Sequence, residues 1–142
     1  MVYLETIQKM DWQTMHNMLS EDARYTDPTM TFYDRPGIDL TGPDSITAFW
    51  RDSSADSGTN KISYSTNSCF ETAGYHVINY SISIDVAGEF WNVNKDTITL
   101  PGQVTSVIRV EGNRITEHAD YVDYAAAERQ VEKLREQYGT VE

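Results

Sequence analysis

The chain is 142 residues long, carries a formal net charge of −11 and contains one cysteine. This length predicts a single domain over residues 1–142, large enough to fold without a metal ion or a disulfide. The acidity argues against nucleic acid or an anionic membrane as a partner, because both are negatively charged, and a lone cysteine cannot form an internal disulfide.

The N-terminal part of the chain is predicted to be helical. One helix is expected over Val2 to Leu19, because its apolar residues fall near one stripe. That stripe contains Tyr3, Ile7, Met10 and Met18. Gly42-Pro43-Asp44 begins a second helix, since proline suits the first helical position and an acid suits the first turn. The Ser-, Asp- and Gly-rich segment 53–60 is expected to end it.

Between these helices, Asp27-Pro28 is predicted to form a stiff corner where the helical layer turns onto a sheet. Proline fixes its own φ near −65° and biases Asp27 towards an extended conformation. The Asp27 carboxylate is therefore presented by a constrained backbone.

From Lys61 onward the apolar residues recur with a period of two, which predicts a meander of strands. Strands are expected at 62–64, 77–84, 104–111 and 115–122. The segment from Trp91 to Leu100 is predicted to be extended, and Pro101-Gly102 is predicted to form a bend or loop. A last helix follows Asp123, its predicted N-cap, and has an apolar stripe of Ala127, Val131, Leu134 and Tyr138.

Helices followed by a strand meander and a short final helix form an α+β pattern, with the helices on one face of the sheet. The predicted fold is a cone-shaped roll. Its strongly bent, mostly antiparallel sheet wraps around the N-terminal helices and leaves the cone open at one end.

Two groups of motifs resemble known proteins. The segment from Tyr3 to Pro28 resembles the corresponding stretch of ketosteroid isomerase, and 42–51 is similar to that enzyme's second helix. The C-terminal half is similar to the SnoaL-like polyketide cyclases at 87–90, 100–102 and 113–120. Both groups belong to the nuclear-transport-factor-2-like superfamily, so the resemblance implies its cone fold over nearly the whole chain. The same fold hosts isomerases, cyclases, hydrolases and ligand-binding proteins, and the function must be argued from the site.

The resemblance implies that Asp27 is the general base and Tyr3 the donor to a developing oxyanion. Without the resemblance, Asp27 is a turn residue that accepts a backbone hydrogen bond, and Tyr3 packs its ring between helix and sheet. Ser106 falls where the isomerase has a protonated carboxylic acid, and Trp50 falls where it has a supporting tyrosine. Steroid isomerisation is therefore not expected.

His118 and Asp120 resemble the His-x-Asp pair of the cyclases, in which Asp serves as acid and base. Residues two apart on a strand share a face, but the preceding turn leaves that face open. A two-residue Gly112-Asn113 turn would turn His118 and Asp120 away from the face of Val104 and Ile108. A three-residue loop, with Asn113 in the left-handed region, would place them on that face. The resemblance favours the second arrangement; the alternative is a surface ion pair on a solvated face.

These observations predict an apolar pocket lined by Trp50, Ser106, Ile108 and Val122. The leading hypothesis is cofactor-independent acid/base catalysis on a small apolar carbonyl compound, with Asp27 or Asp120 as the base and His118 and Tyr3 as polarising donors. The alternatives are a non-catalytic module for a hydrophobic ligand and a dimeric assembly domain. The resemblance also implies a homodimer formed through the sheet.

No motif for a metal or a cofactor is found in the sequence. No apolar run reaches the roughly 20 residues that span a bilayer, and no signal peptide is visible. A cytoplasmic location is therefore expected, with a removed N-terminal signal left open because the chain begins almost inside its first helix.

Overall fold

The computed structural model describes residues 1–141. Its α-helices are α1 (Val2–Gln8), α2 (Trp12–Met18), α3 (Pro43–Asp56) and α4 (Tyr124–Tyr138). Its strands are β1 (Leu19–Asp27), β2 (Ile38–Thr41), β3 (Lys61–Thr72), β4 (Tyr75–Ala87), β5 (Thr97–Glu111) and β6 (Arg114–Val122). Two 3₁₀ helices cover Pro28–Tyr33 and Glu89–Trp91. No helix within residues 1–141 is both long enough and apolar enough to cross a membrane.

The six strands form one curled, unclosed sheet in the order β2-β1-β6-β5-β4-β3. All neighbouring strands are antiparallel except β1 and β6, which are parallel. The predicted fold class, a bent α+β sheet around N-terminal helices with a C-terminal helix, is confirmed. The parallel pair matters for the site, because it aligns the C-terminal ends of β1 and β6.

The prediction of one helix over Val2 to Leu19 is wrong. The helix breaks where Met10 takes a φ of 54°, in the left-handed region. Asp11 then caps α2, because its side chain accepts a hydrogen bond from the Thr14 N–H at 3.2 Å. Leu19 already belongs to β1, which the sequence pattern did not reveal.

The predictions around β5 are also wrong in part. Residues 92–96 form a loop after the second 3₁₀ helix, and β5 runs without interruption through Pro101-Gly102. Proline is tolerated there because β6 pairs with β5 only from Val104 onward, so one side of this stretch has no strand partner. A side chain at position 102 would force Ile82 to shift, because a Cβ atom would lie 2.7 Å from the Ile82 Cγ2 atom.

Two apolar clusters hold the layers together. The larger one packs α1, α2 and α3 against the concave face of the sheet, and includes the fully buried Met15 and Ile108. The smaller one packs α4 against the N-terminal part of β5, with Val131 fully buried. The prediction for α4 is confirmed, since Asp123 accepts a hydrogen bond from the Ala126 N–H at 3.3 Å.

Candidate active site

A β-bulge decides which side chains of β6 face the interior. The β5–β6 turn has two residues, since Glu111 pairs with Arg114, and Gly112 has a φ of 60°. The register then shifts by one residue, so that His118 lies opposite Ile108 and Asp120 lies opposite Ser106. The turn is therefore the two-residue turn of the first alternative. The bulge that follows it nevertheless gives His118 and Asp120 the inward orientation expected from the three-residue loop.

His118 and Asp120 form a buried dyad. The His118 Nε2 atom lies 2.7 Å from Asp120 Oδ1, and its Nδ1 atom lies 3.0 Å from the Tyr3 hydroxyl. Within residues 1–141, Nδ1 is the hydrogen-bond partner of that fully buried hydroxyl. A buried hydroxyl needs an acceptor, so we assign the neutral Nε2–H tautomer, in which Tyr3 donates to His118 and His118 donates to Asp120.

Two further hydroxyl groups hold the Asp120 carboxylate. Ser106 donates to Oδ1 at 2.6 Å, and Tyr25 donates to Oδ2 at 2.9 Å. Because the single Ser106 proton points to Asp120, the hydrogen bond of 2.9 Å between Tyr80 and Ser106 has Tyr80 as its donor. Five donor residues from five separate elements thus form one directed network that ends on a single carboxylate.

The ionisation of Asp120 reflects opposing effects. Burial acts to raise the pKa of its carboxyl group. The positive charge of His118, when protonated, and hydrogen bonds from His118, Ser106 and Tyr25 outweigh burial and leave the pKa below its ordinary value. Asp120 is therefore a stabilised carboxylate and a weak base.

Asp27 is the second buried carboxylate, with 1% of its surface exposed. It caps the 3₁₀ helix Pro28–Tyr33, and its Oδ1 atom accepts a hydrogen bond from the Thr29 N–H at 2.9 Å and another from the Thr29 hydroxyl. Its Oδ2 atom accepts from the Tyr124 hydroxyl at the start of α4. Asp27 thus caps a turn, as its alternative role predicted, and also lines a cavity.

The two carboxylates line one cavity of about 240 Å³ between the sheet and α3. Strands β1 and β6 pair Thr26 with Ala119, so the following residues, Asp27 and Asp120, are neighbours across the sheet. Most other lining side chains are aliphatic or aromatic. They include Ile38, Phe49, Trp50, Ile62, Tyr80, Ile82, Ile84, Val104 and Val122.

Burial raises the pKa of the phenols around this cavity. For Tyr25 and Tyr80 the charge of Asp120 adds to burial, and for Tyr124 the hydrogen bond to Asp27 does so. Burial and the Asp120 charge likewise raise the pKa of Tyr3. All four phenols are therefore protonated donors at neutral pH.

The sequence model that describes the SnoaL-like domain matches residues 2–118, which is most of the chain. The chain belongs to the SnoaL-like family. The resemblance seen in the sequence is therefore confirmed, and no curated protein sequence matches this SnoaL-like chain.

Solved structures with the SnoaL-like fold match the whole architecture. A candidate SnoaL-like polyketide cyclase from Shewanella denitrificans OS-217 is 21% identical with a TM-score of 0.80, and the match covers 92% of each chain. A second one, from Shewanella putrefaciens CN-32, is 18% identical with a TM-score of 0.79 over 92% of this chain and 91% of that one. IdmH, a candidate polyketide cyclase from Streptomyces antibioticus, is 17% identical with a TM-score of 0.74 over 90% and 91%. At these identities the likeness concerns the fold.

Most residues predicted for the site come together in this SnoaL-like domain, but in two layers. Asp27, Asp120, Trp50 and Val122 line the cavity. Ser106 and Ile108 are fully buried behind its wall rather than in it. Tyr3 and His118 also lie behind Asp120: His118 contacts that carboxylate, Tyr3 contacts His118, and neither lines the cavity.

Two residues of the site, Tyr25 and Tyr124, were not predicted from the sequence. Tyr25 lies two residues before Asp27 on β1 and therefore shares its inward face. Tyr124 directly follows the helix cap Asp123, which is the only sequence signal that could have placed it beside the sheet.

Trp50 lines the cavity and also contacts the buried dyad behind it. Its ring stacks on His118, with centroids 6.4 Å apart and planes inclined by 10°. Its Nε1 atom is buried and has no hydrogen-bond partner within residues 1–141. Within the same residues, no group of three or more His, Cys, Asp and Glu side chains could hold a metal ion.

Proposed function

We propose that this SnoaL-like protein is a cofactor-independent acid/base catalyst that removes a proton next to the carbonyl group of a small apolar compound, in a reaction of the isomerase or cyclase type. One observation carries the proposal: two buried carboxylates on neighbouring strands, Asp27 and Asp120, open onto one mainly apolar cavity. A structural core alone gives no reason to desolvate two acids side by side, because burying a charge is costly.

The two carboxylates differ in what they can do. Asp120 accepts hydrogen bonds from His118, Ser106 and Tyr25, and its lowered pKa makes it a poor proton acceptor. Asp27 is anchored through Oδ1 by Thr29, while its Oδ2 atom accepts only the Tyr124 hydroxyl within residues 1–141. We therefore assign proton abstraction to Asp27, with Oδ2 as the receiving atom.

Tyr124 supplies the donor that the reaction needs. When Asp27 takes the proton, the C–H bond of the substrate breaks, an O–H bond forms on Oδ2, and the electron pair moves to the carbonyl oxygen. Neutral Asp27 is a weaker acceptor, so the Tyr124 hydroxyl can turn to the new enolate oxygen, where negative charge has developed. Return of the proton to another carbon completes an isomerisation. In a cyclisation the enolate carbon attacks a second carbonyl carbon, whose C=O π pair moves to its oxygen, and that oxygen takes the proton from Asp27.

The cavity limits the size of the substrate. Pockets that bind drug-sized ligands have volumes of roughly 300–1,000 Å³, whereas this cavity measures about 240 Å³. A compact compound of one or two rings fits this volume. Ser53, Ser54, Ser57 and Thr59 also line the cavity and add polar residues to its lining.

Exchange of α-protons tests the proposal without knowledge of the natural substrate. Small cyclic ketones are incubated with the protein in D₂O, and loss of the α-proton signal is followed by NMR. We expect the wild type to accelerate exchange. The exchange rate of Asp27→Asn should be lower than that of the wild type by about 10²–10⁴-fold. The control Glu132→Gln, which makes the same charge change at an exposed position of α4, should retain the rate.

A non-catalytic module for a hydrophobic ligand is the second candidate. It is supported by the mainly apolar lining and by the three internal donors, His118, Ser106 and Tyr25, that already bind the Asp120 carboxylate. Binding of cyclic ketones with no acceleration of exchange, in the wild type, would favour this module and overturn the catalytic proposal.

We also propose a homodimer through the outer face of the sheet. Tyr121 on β6 points away from the cavity side and is 46% exposed. Light scattering after size-exclusion chromatography should give twice the monomer mass. A monomer at all accessible concentrations would contradict this.

A further inference from the structure

The phenols in the cavity wall offer acceptors rather than donors to a ligand. Tyr25 donates its proton to Asp120, Tyr124 donates to Asp27, and Tyr80 donates to Ser106. A phenol has one proton and two lone pairs. These three phenols and the two carboxylates therefore present free lone pairs on the cavity side. A ligand with its own N–H or O–H donors can bind to them.

The charge of the cavity points in the same direction. Among its lining residues within 1–141 there are two aspartates and no lysine, arginine or histidine. The described residues contain no cluster that could hold a metal ion, so an organic cation fits this negative potential better.

Aromatic rings complete a site for such a cation. Tyr25 packs against Trp50 with centroids 5.4 Å apart and against Phe49 at 5.8 Å, and all three line the cavity. A cation over aromatic faces is attracted by the ring quadrupoles, most strongly when it is desolvated. The net charge of −11 also raises the local concentration of cations around the protein.

We infer that the ligand of this cavity is a compact organic cation, a secondary or tertiary ammonium compound of one or two rings. Its N–H group is bound by Asp120 and flanked by Tyr25 and Trp50. The inference rests on the proposed function, since it uses the same cavity and the same acid/base chemistry. It replaces the apolar carbonyl compound with a small amino ketone, whose ammonium group lies on Asp120 and whose α-proton lies near Asp27.

A pair of ligands with matched shape tests the inference. N-methyl-4-piperidone, with its amine protonated, is compared with the neutral 4-methylcyclohexanone by calorimetric titration of the full chain. We expect the cation to bind about tenfold or more tightly than the neutral ketone. Equal affinities, tighter binding of the neutral ketone, or the absence of binding for both would overturn the inference.

Variants identify the group that is responsible. Asp120→Asn should reduce the preference for the cation to about one and leave binding of the neutral ketone nearly unchanged, whereas Glu132→Gln should keep the preference. The comparison in the wild type needs no variant, so a folding defect in Asp120→Asn leaves the inference falsifiable. Proton exchange separates the two proposals. Preferred binding of the cation without α-proton exchange would contradict only the catalytic proposal. Exchange of both ketones with equal affinities would contradict only the proposed ligand class.

Discussion

Asp27 and Asp120 are neighbours across the parallel strands β1 and β6 and face one cavity, yet each is held by a separate set of donors. Thr29 and Tyr124 hold Asp27, whereas His118, Ser106 and Tyr25 hold Asp120. Two like charges at such close range are stable only when each is solvated by the protein. The two carboxylates therefore differ in their contacts, and the proposed division of roles between them depends on that difference.

The first prediction concerns Tyr124. Tyr124→Phe removes the hydroxyl that donates to Asp27 and, in the proposed mechanism, to the enolate. We expect the rate of α-proton exchange to fall by about 10–10³-fold, by analogy with the loss of one oxyanion donor. Tyr121→Phe removes a hydroxyl from the outer face and should leave the rate unchanged. Equal rates for Tyr124→Phe and the wild type would remove Tyr124 from the mechanism.

The second prediction concerns stability in acid. The pKa of Asp120 is lower in the folded protein than its ordinary value, so its ionised form stabilises the fold above about pH 4. This contribution is lost as the pH falls through the folded pKa. The free energy of unfolding, measured in urea, should therefore decrease below pH 4. In Asp120→Asn this free energy should depend less steeply on pH in the same range. Parallel curves for the variant and the wild type would contradict the lowered pKa.

The third prediction concerns stability in base. Burial raises the pKa of Tyr3, Tyr25, Tyr80 and Tyr124 above the ordinary value of about 10. The protonated phenols therefore stabilise the fold fully below pH 10, and this contribution is lost as the pH rises through the folded pKa values.

Absorbance at 295 nm, which reports phenolate, checks this prediction. Of the nine tyrosines, these four should ionise only together with the loss of the circular dichroism signal of the fold. Burial, with the charge of Glu128 nearby, raises the pKa of Tyr33 to about 12, so its titration should also be delayed. Ionisation of all nine near pH 10 with the fold intact would contradict the burial of this network.

The sequence was sufficient for the fold but not for the details of register. The apolar stripe of α4 and the cap at Asp123 are local signals, and both are confirmed. The bulge that turns Asp120 inward is not a local signal, because a single extra residue in β6 reverses every side chain beyond it. Which carboxylates share a cavity therefore depends on long-range pairing that periodicity cannot show.

Long-range packing also explains the wrong predictions for the first helix and for β5. The break at Met10 needs a left-handed residue that is not glycine, which is an uncommon conformation. The continuous β5 needs Pro101 to fall where β6 does not pair, and this depends on the length of β6. In both places tertiary structure overrides the local preference.

The fourth prediction tests the direction of the hydrogen-bond chain from Tyr80 through Ser106 to Asp120. Ser106→Ala removes a donor from Asp120 and also leaves the buried Tyr80 hydroxyl without its acceptor. An unsatisfied buried polar group costs about 1–3 kcal/mol, and we expect the free energy of unfolding to fall by about that amount or more. Tyr80→Phe should cost less, because Ser106 keeps its bond to Asp120.

The double variant Ser106→Ala with Tyr80→Phe distinguishes a directed chain from two independent contacts. Once Ser106 is alanine, removal of the orphaned Tyr80 hydroxyl relieves an unsatisfied group, so the double variant should be more stable than Ser106→Ala alone. Urea unfolding of the wild type, the two single variants and the double variant gives the coupling energy. If the two single costs simply add, Tyr80 does not donate to Ser106, and its proton is free for a ligand in the cavity. That result would weaken the case for a cationic ligand, which depends on phenols that offer lone pairs to the cavity.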